Sequence, residues 1–328
     1  PYAPPPPFDR TFADDPYLGD VAAADAALAP LLTPILDAGA DGDTLVVVTS
    51  DHGEALGEHG EATHGIFAYE STLRVPLIVY HPRLLEPDVV RETARLLDLL
   101  PTILDLLDLP PSSGLPGRSL TAPGSAAESE ASVATYFEAL SGQLHRGWAP
   151  LFCVVQEGWK YIDLPIPELY DLANDPAEER NLVAEHPQRV GQLSALLADL
   201  RSSDPGAAPA PEDEETRRRL RALGYLSDAA AGSTGPNRVY TPEDDPKRLI
   251  GLDTVLRQVT GLWADGELER ARTLCRELLA RRPDMRMALM TLAQIERDLG
   301  NLDAATEAMR RAFELYPEDS STLALLVS

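Results

Sequence analysis

Thr44-Leu-Val-Val-Val-Thr-Ser-Asp51-His52-Gly53-Glu54 is the stretch on which the fold turns. The apolar run 45–48 is short, β-branched and closed by small polar residues, so it predicts a fully buried parallel strand rather than a helix. Asp51 and His52 follow at its carboxyl end, the edge at which open α/β sheets bind their ligands. Gly53 permits a turn that brings both side chains onto one ion, and a carboxylate beside an imidazole makes half of a divalent-metal site. Outward from this stretch, residues 75–80 predict a second strand. Upstream, Leu18, Val21, Leu28, Leu31, Leu32, Ile35 and Leu36 form a helical stripe over 17–38, which Pro30 and Pro34 should kink or break near Ala29. Downstream, Pro101 is placed to open another helix ending before Pro110. Because 96–109 carries Asp98, Asp105 and Asp108, it reads as a core helix and not as a membrane span.

An ordered set of short motifs runs through the same region: Ser50-Asp51-His52-Gly53-Glu54, Gly57-Glu58-His59-Gly60, Thr63-His64-Gly65, Tyr69-Glu70 and Arg74-Val75-Pro76-Leu77-Ile78. In this set the chain resembles the sulfatase family of the alkaline phosphatase superfamily. A weaker likeness extends to about Ser227, through Gly117-Arg118-Ser119-Leu120, Glu168-Leu169-Tyr170-Asp171-Leu172 and Asp175-Pro176. The resemblance implies an α/β fold: part of an alkaline-phosphatase-like mixed sheet flanked by helices, then a small antiparallel β subdomain. It also implies that Asp51 and His52 bind a divalent metal, calcium in most of the family. His52 stands where the calcium enzymes have Asn, and imidazole also suits manganese. His64 falls where the family commonly has a Lys on the sulfate oxygens, which makes it the expected catalytic residue, assisting the leaving group.

The family's nucleophile is a Cys oxidised to formylglycine in a Cys-x-Pro-Ser-Arg or Cys-x-Ala-Ser-Arg segment. Neither Cys153 nor Cys275 has that context, and Asp14-Asp15 does not match the family's paired Asp ligands. The expectation is therefore a fragment, the later part of a sulfatase without its nucleophile and inactive alone. The expected activity of the whole is hydrolysis of sulfate esters. The alternatives are a phosphoester or phosphonate monoester hydrolase of the same superfamily, and a non-catalytic repeat-bearing scaffold with a degenerate sulfatase-like part. The two-metal members of the superfamily use Asp-x-x-x-His, a spacing that does not occur in this sequence, so one metal is expected.

Composition sets the outer bounds. The chain has 328 residues, 44% of them hydrophobic, enough for more than one packed core. Asp and Glu number 53 against 28 Lys and Arg, and the formal charge of −25 argues against binding nucleic acid. An anionic sulfate ester would need a local cationic pocket, which a divalent ion, His64 and Arg or Lys residues from the missing part would supply. Two distant cysteines make no disulfide framework, and the apolar surroundings of Cys153 predict a buried thiol. No membrane span is expected, and a periplasmic or otherwise extracytoplasmic location is expected from the family.

Four regions are predicted: residues 1–130, the sulfatase-like α/β part; 131–201, the antiparallel subdomain with a covering helix; 202–248, a linker with a short helix; and 249–328, helical repeats. Short β segments at 133–137, 151–156, 159–162 and 168–172, with Gly158 in a tight hairpin, make the subdomain. The helix over 185–201 should cover it through Val190, Leu193, Leu196, Leu197 and Leu200. In the last region, Gly266 recurs at Gly300, Ala271 at Ala305 and Pro283 at Pro317, a spacing of 34 residues that resembles tetratricopeptide repeats and implies a possible protein partner. Residues 319–328 would begin a third copy, and two copies alone are marginal unless they dock elsewhere. Glu54 and Glu61 read as surface charges and His59 as a solvated loop residue. Arg74 reads as half of an ion pair, and His81, His145 and His186 as structural.

Overall fold

The computed structural model describes residues 2–90, 93–112, 114–121, 133–202 and 239–316. In chain order, Phe8–Thr11 (α1) and Pro16–Asp37 (α2) lead to Val46–Thr49 (β1). A long loop containing Glu70–Leu73 (α3) then returns to Leu77–Tyr80 (β2), and Leu99–Leu106 (α4) follows. The described residues fall into two units: residues up to Asp51 with those from Val75 to Thr121, and His52–Arg74 with those from Val133 onward.

In the first unit β1 pairs antiparallel with β2, Val47 opposite Val79 and Thr49 opposite Leu77. This corrects the buried parallel strand expected at 45–48. Both strands are half-buried, with Ile78 58% exposed. A run of valines fits any pleated pair, and the side chains carry no information on the direction of the partner.

The break expected near Ala29 is also absent, since α2 runs continuously through Pro30 and Pro34. The two prolines stand one helical turn apart on one face, so the residues between them still bond in helical register. Asp15 caps the start by accepting from the Leu18 N–H at 3.1 Å, and the Ala38 N–H closes the end on the Pro34 carbonyl. Of its residues only Gly19 is buried, and a Cβ there would meet Pro4 Cγ at 2.7 Å. The leucine stripe lies at the surface, Leu31 being 65% exposed. With 22 residues and a hydropathy of 1.3, α2 is long and apolar enough to cross a membrane, a test that a leader or the core helix of a soluble protein also passes.

A single 3-10 turn, Leu96–Asp98, precedes α4, which therefore begins before Pro101. The core helix expected at 96–109 is corrected too: Leu96, Leu97, Leu100, Leu107 and Leu109 are exposed, and the buried positions are Asp98 and Thr102. Asp98 organises this corner, accepting from the Arg95 guanidinium at 2.8 and 3.0 Å and from the Arg118 N–H at 3.0 Å.

The second unit holds a meander of four antiparallel strands, Thr135–Ala139 (β3), Leu151–Gln156 (β4), Trp159–Asp163 (β5) and Glu168–Asp171 (β6), as the β segments predict. Ser141–Arg146 (α5) lies between β3 and β4. Glu157 and Gly158, with φ of 54° and 73°, make the two-residue β4–β5 turn, the conformation that matches the twist of a hairpin. Pleating sends alternate residues to opposite faces. Val154, Tyr161 and Leu169 pack with Leu193 and Leu197 of Pro187–Ser202 (α6), the covering helix.

Cys153, Ile162 and Tyr170 face the other way, into a core they share with Trp148, the loop residues Ile66 to Tyr69, and four further helices. These are Pro246–Ala264 (α7), Leu268–Arg281 (α8), Arg286–Asp298 (α9) and Leu302–Leu315 (α10). Gly266 and Gly300 take equivalent left-handed turns, φ 77° and 79°, and Ala271 and Ala305 are both buried where paired helices meet. The predicted 34-residue period therefore corresponds to two helical pairs. Their first helix contributes Leu252, Leu256 and Val259 to the core that also holds the inner face of the sheet. Buried Asp253 accepts from Arg146 at 2.5 and 2.9 Å, and Arg282 reaches the Gly147 carbonyl at 2.6 Å and Asp244 at 2.8 Å. Docking supplies the neighbour that two copies need. The third copy expected from 319, and most of the linker expected at 202–248, lie outside the described residues.

Candidate functional site

The loop 52–74 is built around carbonyls and carboxylates that order its backbone. The Gly53 N–H donates to the Thr72 carbonyl at 2.8 Å, and a Cβ at Gly53 would run into the carbonyl of Ser71. Ala55 pairs with Thr63, and Gly57 with Glu61, each at 2.8 Å. Glu61 is 1% exposed and accepts from the Ile66 N–H at 2.7 Å and the Phe67 N–H at 3.1 Å. The surface charge expected there is thus a buried acceptor for two loop amides. Burial pushes its carboxyl up from the usual value, and the two N–H donors only partly offset this.

The loop presents two histidines in contact. The rings of His52 and His64 lie 4.1 Å apart, inclined by 34°. His64 Nδ1 donates to Glu54 at 3.3 and 3.4 Å, while His52 Nδ1 donates to the Gly53 carbonyl at 2.9 Å. The His64 side chain is 45% exposed and that of Glu54 only 14%. A carboxylate on Nδ1 fixes the tautomer and leaves Nε2 as the working nitrogen of His64. Glu54, expected at the surface, is therefore this histidine's partner.

Asp51 follows β1 in the first unit, exposed, with Ser50 Oγ donating to it at 3.4 Å. Carboxylate and imidazole are donor types that suit a divalent cation. Among the described residues no group of three His, Cys, Asp or Glu is placed to hold a metal.

Other assignments change. His59 is not a free loop residue: it stacks on Tyr69 at 3.6 Å and 14°, and its Nε2 donates to the Ala177 carbonyl at 3.1 Å. Arg74 has no ion-pair partner among the described residues. His81 is structural as expected, its Nδ1 accepting from the Arg83 and Leu84 N–H groups. Both thiols are fully buried, and burial pushes Cys153 and Cys275 up to about 12, which makes neither a nucleophile. The sequence reading missed Lys160, wholly buried beneath the loop between Glu70 and Glu178, each 2.8 Å away. The available signal was its place in β5, on the same inward face as Ile162.

Comparison with known proteins agrees with the motif reading. Residues 8–109 match the Sulfatase family model, and residues 262–328 a tetratricopeptide repeat model. The chain thus resembles sulfatases over its first third and tetratricopeptide repeats at its end. Among curated proteins, this sulfatase-like chain is 28% identical over 200 residues to Arylsulfatase K of Xenopus laevis, covering 56% of its own length and 36% of that protein. It is 32% identical over 145 residues to the uncharacterized sulfatase YidJ of Escherichia coli K12, covering 43% and 28%. The chain thus spans about a third of the length of the curated relatives it matches. Among solved structures, Ps i-CgsB shares the fold, with a TM-score of 0.51 at 18% identity over 68% of this chain and 52% of that one.

Proposed function

We propose that this chain supplies one side of the active site of a metal-dependent hydrolase of sulfate esters. The observation that carries the reading is the Glu54–His64–His52 arrangement, set in a loop whose sequence lies inside the sulfatase match. In this reading Asp51 and His52 hold a divalent ion, calcium or, because of the imidazole, manganese. When bound, such an ion polarises the oxyanionic ester and neutralises charge on it.

The chain's own residues handle the proton on the leaving group. Glu54 holds His64 in one tautomer, and Nε2 has no hydrogen-bond partner among the described residues. In protonated form His64 donates that proton to the leaving ester oxygen, and afterwards the neutral ring can take a proton from water. The nucleophile, a formylglycine in this reading, belongs to sequence other than these 328 residues, because neither thiol here is accessible. The tetratricopeptide pair offers surface for a protein partner, and an extracytoplasmic location goes with the reading.

The test is hydrolysis of an aryl sulfate by the full-length enzyme, with Asp51→Asn and His64→Ala variants. Activity that a chelator removes, that calcium or manganese restores, and that falls on the order of a hundredfold or more in each variant is the expected result. Preference for an aryl phosphonate over the sulfate would transfer the reading to the phosphonate hydrolases. Full activity in His64→Ala would refute the assigned role.

A further inference from the structure

A wholly buried lysine is the least expected residue in this chain. Lys160 points from β5 into the core and is 0% exposed. Its ammonium has three partners: Glu70 Oε1 and Glu178 Oε1, each at 2.8 Å, and the Ala68 carbonyl at 3.2 Å. Glu178 in turn accepts from the Glu70 N–H at 2.5 Å. Two of the three partners, Ala68 and Glu70, belong to the loop that carries the histidines, and Ala68 stands four residues after His64. On the near side of that interval, Glu61 holds the Ile66 and Phe67 amides. His64 and Gly65 are thus bracketed by two buried anchors.

An ammonium alone in an apolar core is disfavoured by several kcal/mol, so its presence demands compensating anions. Burial works against the charged form of Lys160, but Glu178 and Glu70 outweigh it and its pKa lies above the ordinary value. The adjoining residues extend the clamp. Tyr69 donates to Glu168 at 3.0 and 3.2 Å, Tyr170 donates to the same carboxylate at 2.7 Å, and Lys247 of α7 stands 3.4 Å from it.

We propose that Lys160 is a positioning residue for the site: by tying Ala68 and Glu70 to β5 it fixes the loop that places His64. This rests on the hydrolase reading only in that His64 is the group being placed. A polar tie suits the task better than apolar packing, because it fixes direction and register at two backbone positions of a loop with little regular structure.

The experiment compares the full-length enzyme with Lys160→Met and with Lys160→Met/Glu178→Gln. The double variant removes the unpaired buried carboxylate and keeps an acceptor for the Glu70 N–H, so it remains folded if the single variant does not. Amide exchange over residues 66–72 is expected to quicken on the order of tenfold to a hundredfold, the factor for one lost charge-assisted hydrogen bond, while β3 to β6 and α7 to α10 stay protected. In the same variant kcat for the aryl sulfate is expected to fall on the order of a hundredfold with KM within about twofold, the pattern of a misplaced catalytic group. Unchanged exchange at 66–72, acceleration spread equally over the whole unit, or a loosened loop with unchanged kcat would each overturn the proposal. Should the parent enzyme hydrolyse no sulfate ester, the hydrolase reading fails by itself, and loosening confined to 66–72 still decides for Lys160 as the loop's anchor.

Discussion

Replacing Glu61 by Ala tests how much of the site loop depends on one buried carboxylate. Glu61 is 1% exposed and accepts from two loop amides, Ile66 at 2.7 Å and Phe67 at 3.1 Å. Each stranded N–H costs about 1–3 kcal/mol, so the two together cost about 2–6 kcal/mol. Removing a carboxylate that is itself costly to bury returns part of this, and the expected net loss is about 2–4 kcal/mol. The sign of the pH dependence follows from the direction of the pKa shift. Burial raises the Glu61 carboxyl above its usual 4.5, so the folded chain holds that proton more tightly than the unfolded chain. The wild type therefore loses stability as pH rises from the unfolded value through the folded one, and the variant does not. The difference between them should be largest near pH 4.5 and below, and should shrink toward neutrality. Urea unfolding followed by tryptophan fluorescence suits the measurement, because Trp148, Trp159 and Trp263 all lie in the second unit. A loss below about 1 kcal/mol, or a difference that grows with rising pH, would refute the reasoning.

Three further outcomes follow from buried groups elsewhere. Both cysteines should resist a thiol reagent in the folded chain and react together in denaturant, since burial lifts each to about 12; one fast thiol in the native chain would contradict this. Asp98→Asn should destabilise the first unit by about 2 kcal/mol near neutral pH, by weakening the Arg95 and Arg118 bonds. Burial opposes ionisation of Asp98, yet those bonds hold its pKa below 3.8, so its contribution is present above that pH and fades as pH falls through the folded value, where the variant and parent should converge. Leu289→Ala in α9 should cost about 2–5 kcal/mol. Because its side chain shares a core with Trp148 and Ile162, amide protection should fall in the sheet and in the helices together; independent melting of the helices would disprove a common core.

The antiparallel meander and the helical pairs were legible because each leaves a local mark. Gly158 marks a hairpin, Gly266 and Gly300 mark equivalent left-handed turns, and the alternation in β4 and β5 assigns faces to the sheet. Features decided by a distant partner were not legible. The direction of β1 depends on β2, about thirty residues away, and four apolar residues cannot express it. Glu61 and Glu54 look alike in sequence as loop acids, but one is closed over by its own loop and the other stands against an imidazole. His59 gave no hint of Tyr69, because its stacking depends on its own left-handed backbone, φ 52°. Lys160 is the extreme case: composition rules assign lysine to the surface, and only three partners from two other segments reverse that assignment.

These distant partners also change what the helical repeat is for. An adaptor attached by a linker would leave its first helix free, but α7 lies against the site loop as well as the sheet. Ile250 approaches Gly60 closely enough that a Cβ there would meet its Cγ2 at 3.2 Å, and Lys247 joins the Tyr69 and Tyr170 hydroxyls around Glu168. The residues that contact the loop therefore come from three separated parts of one unit: the loop itself, β5 with the Glu178 segment, and α7. A perturbation of α7 should reach the histidines through Gly60 and Tyr69 without any change in the residues that touch substrate. Leu252, Leu256 and Val259 of α7 are already buried in the core that the helices share with the sheet. Any protein that engages the repeats must accordingly use other faces of the helices, and its binding would bear on a helix that also supports the candidate site.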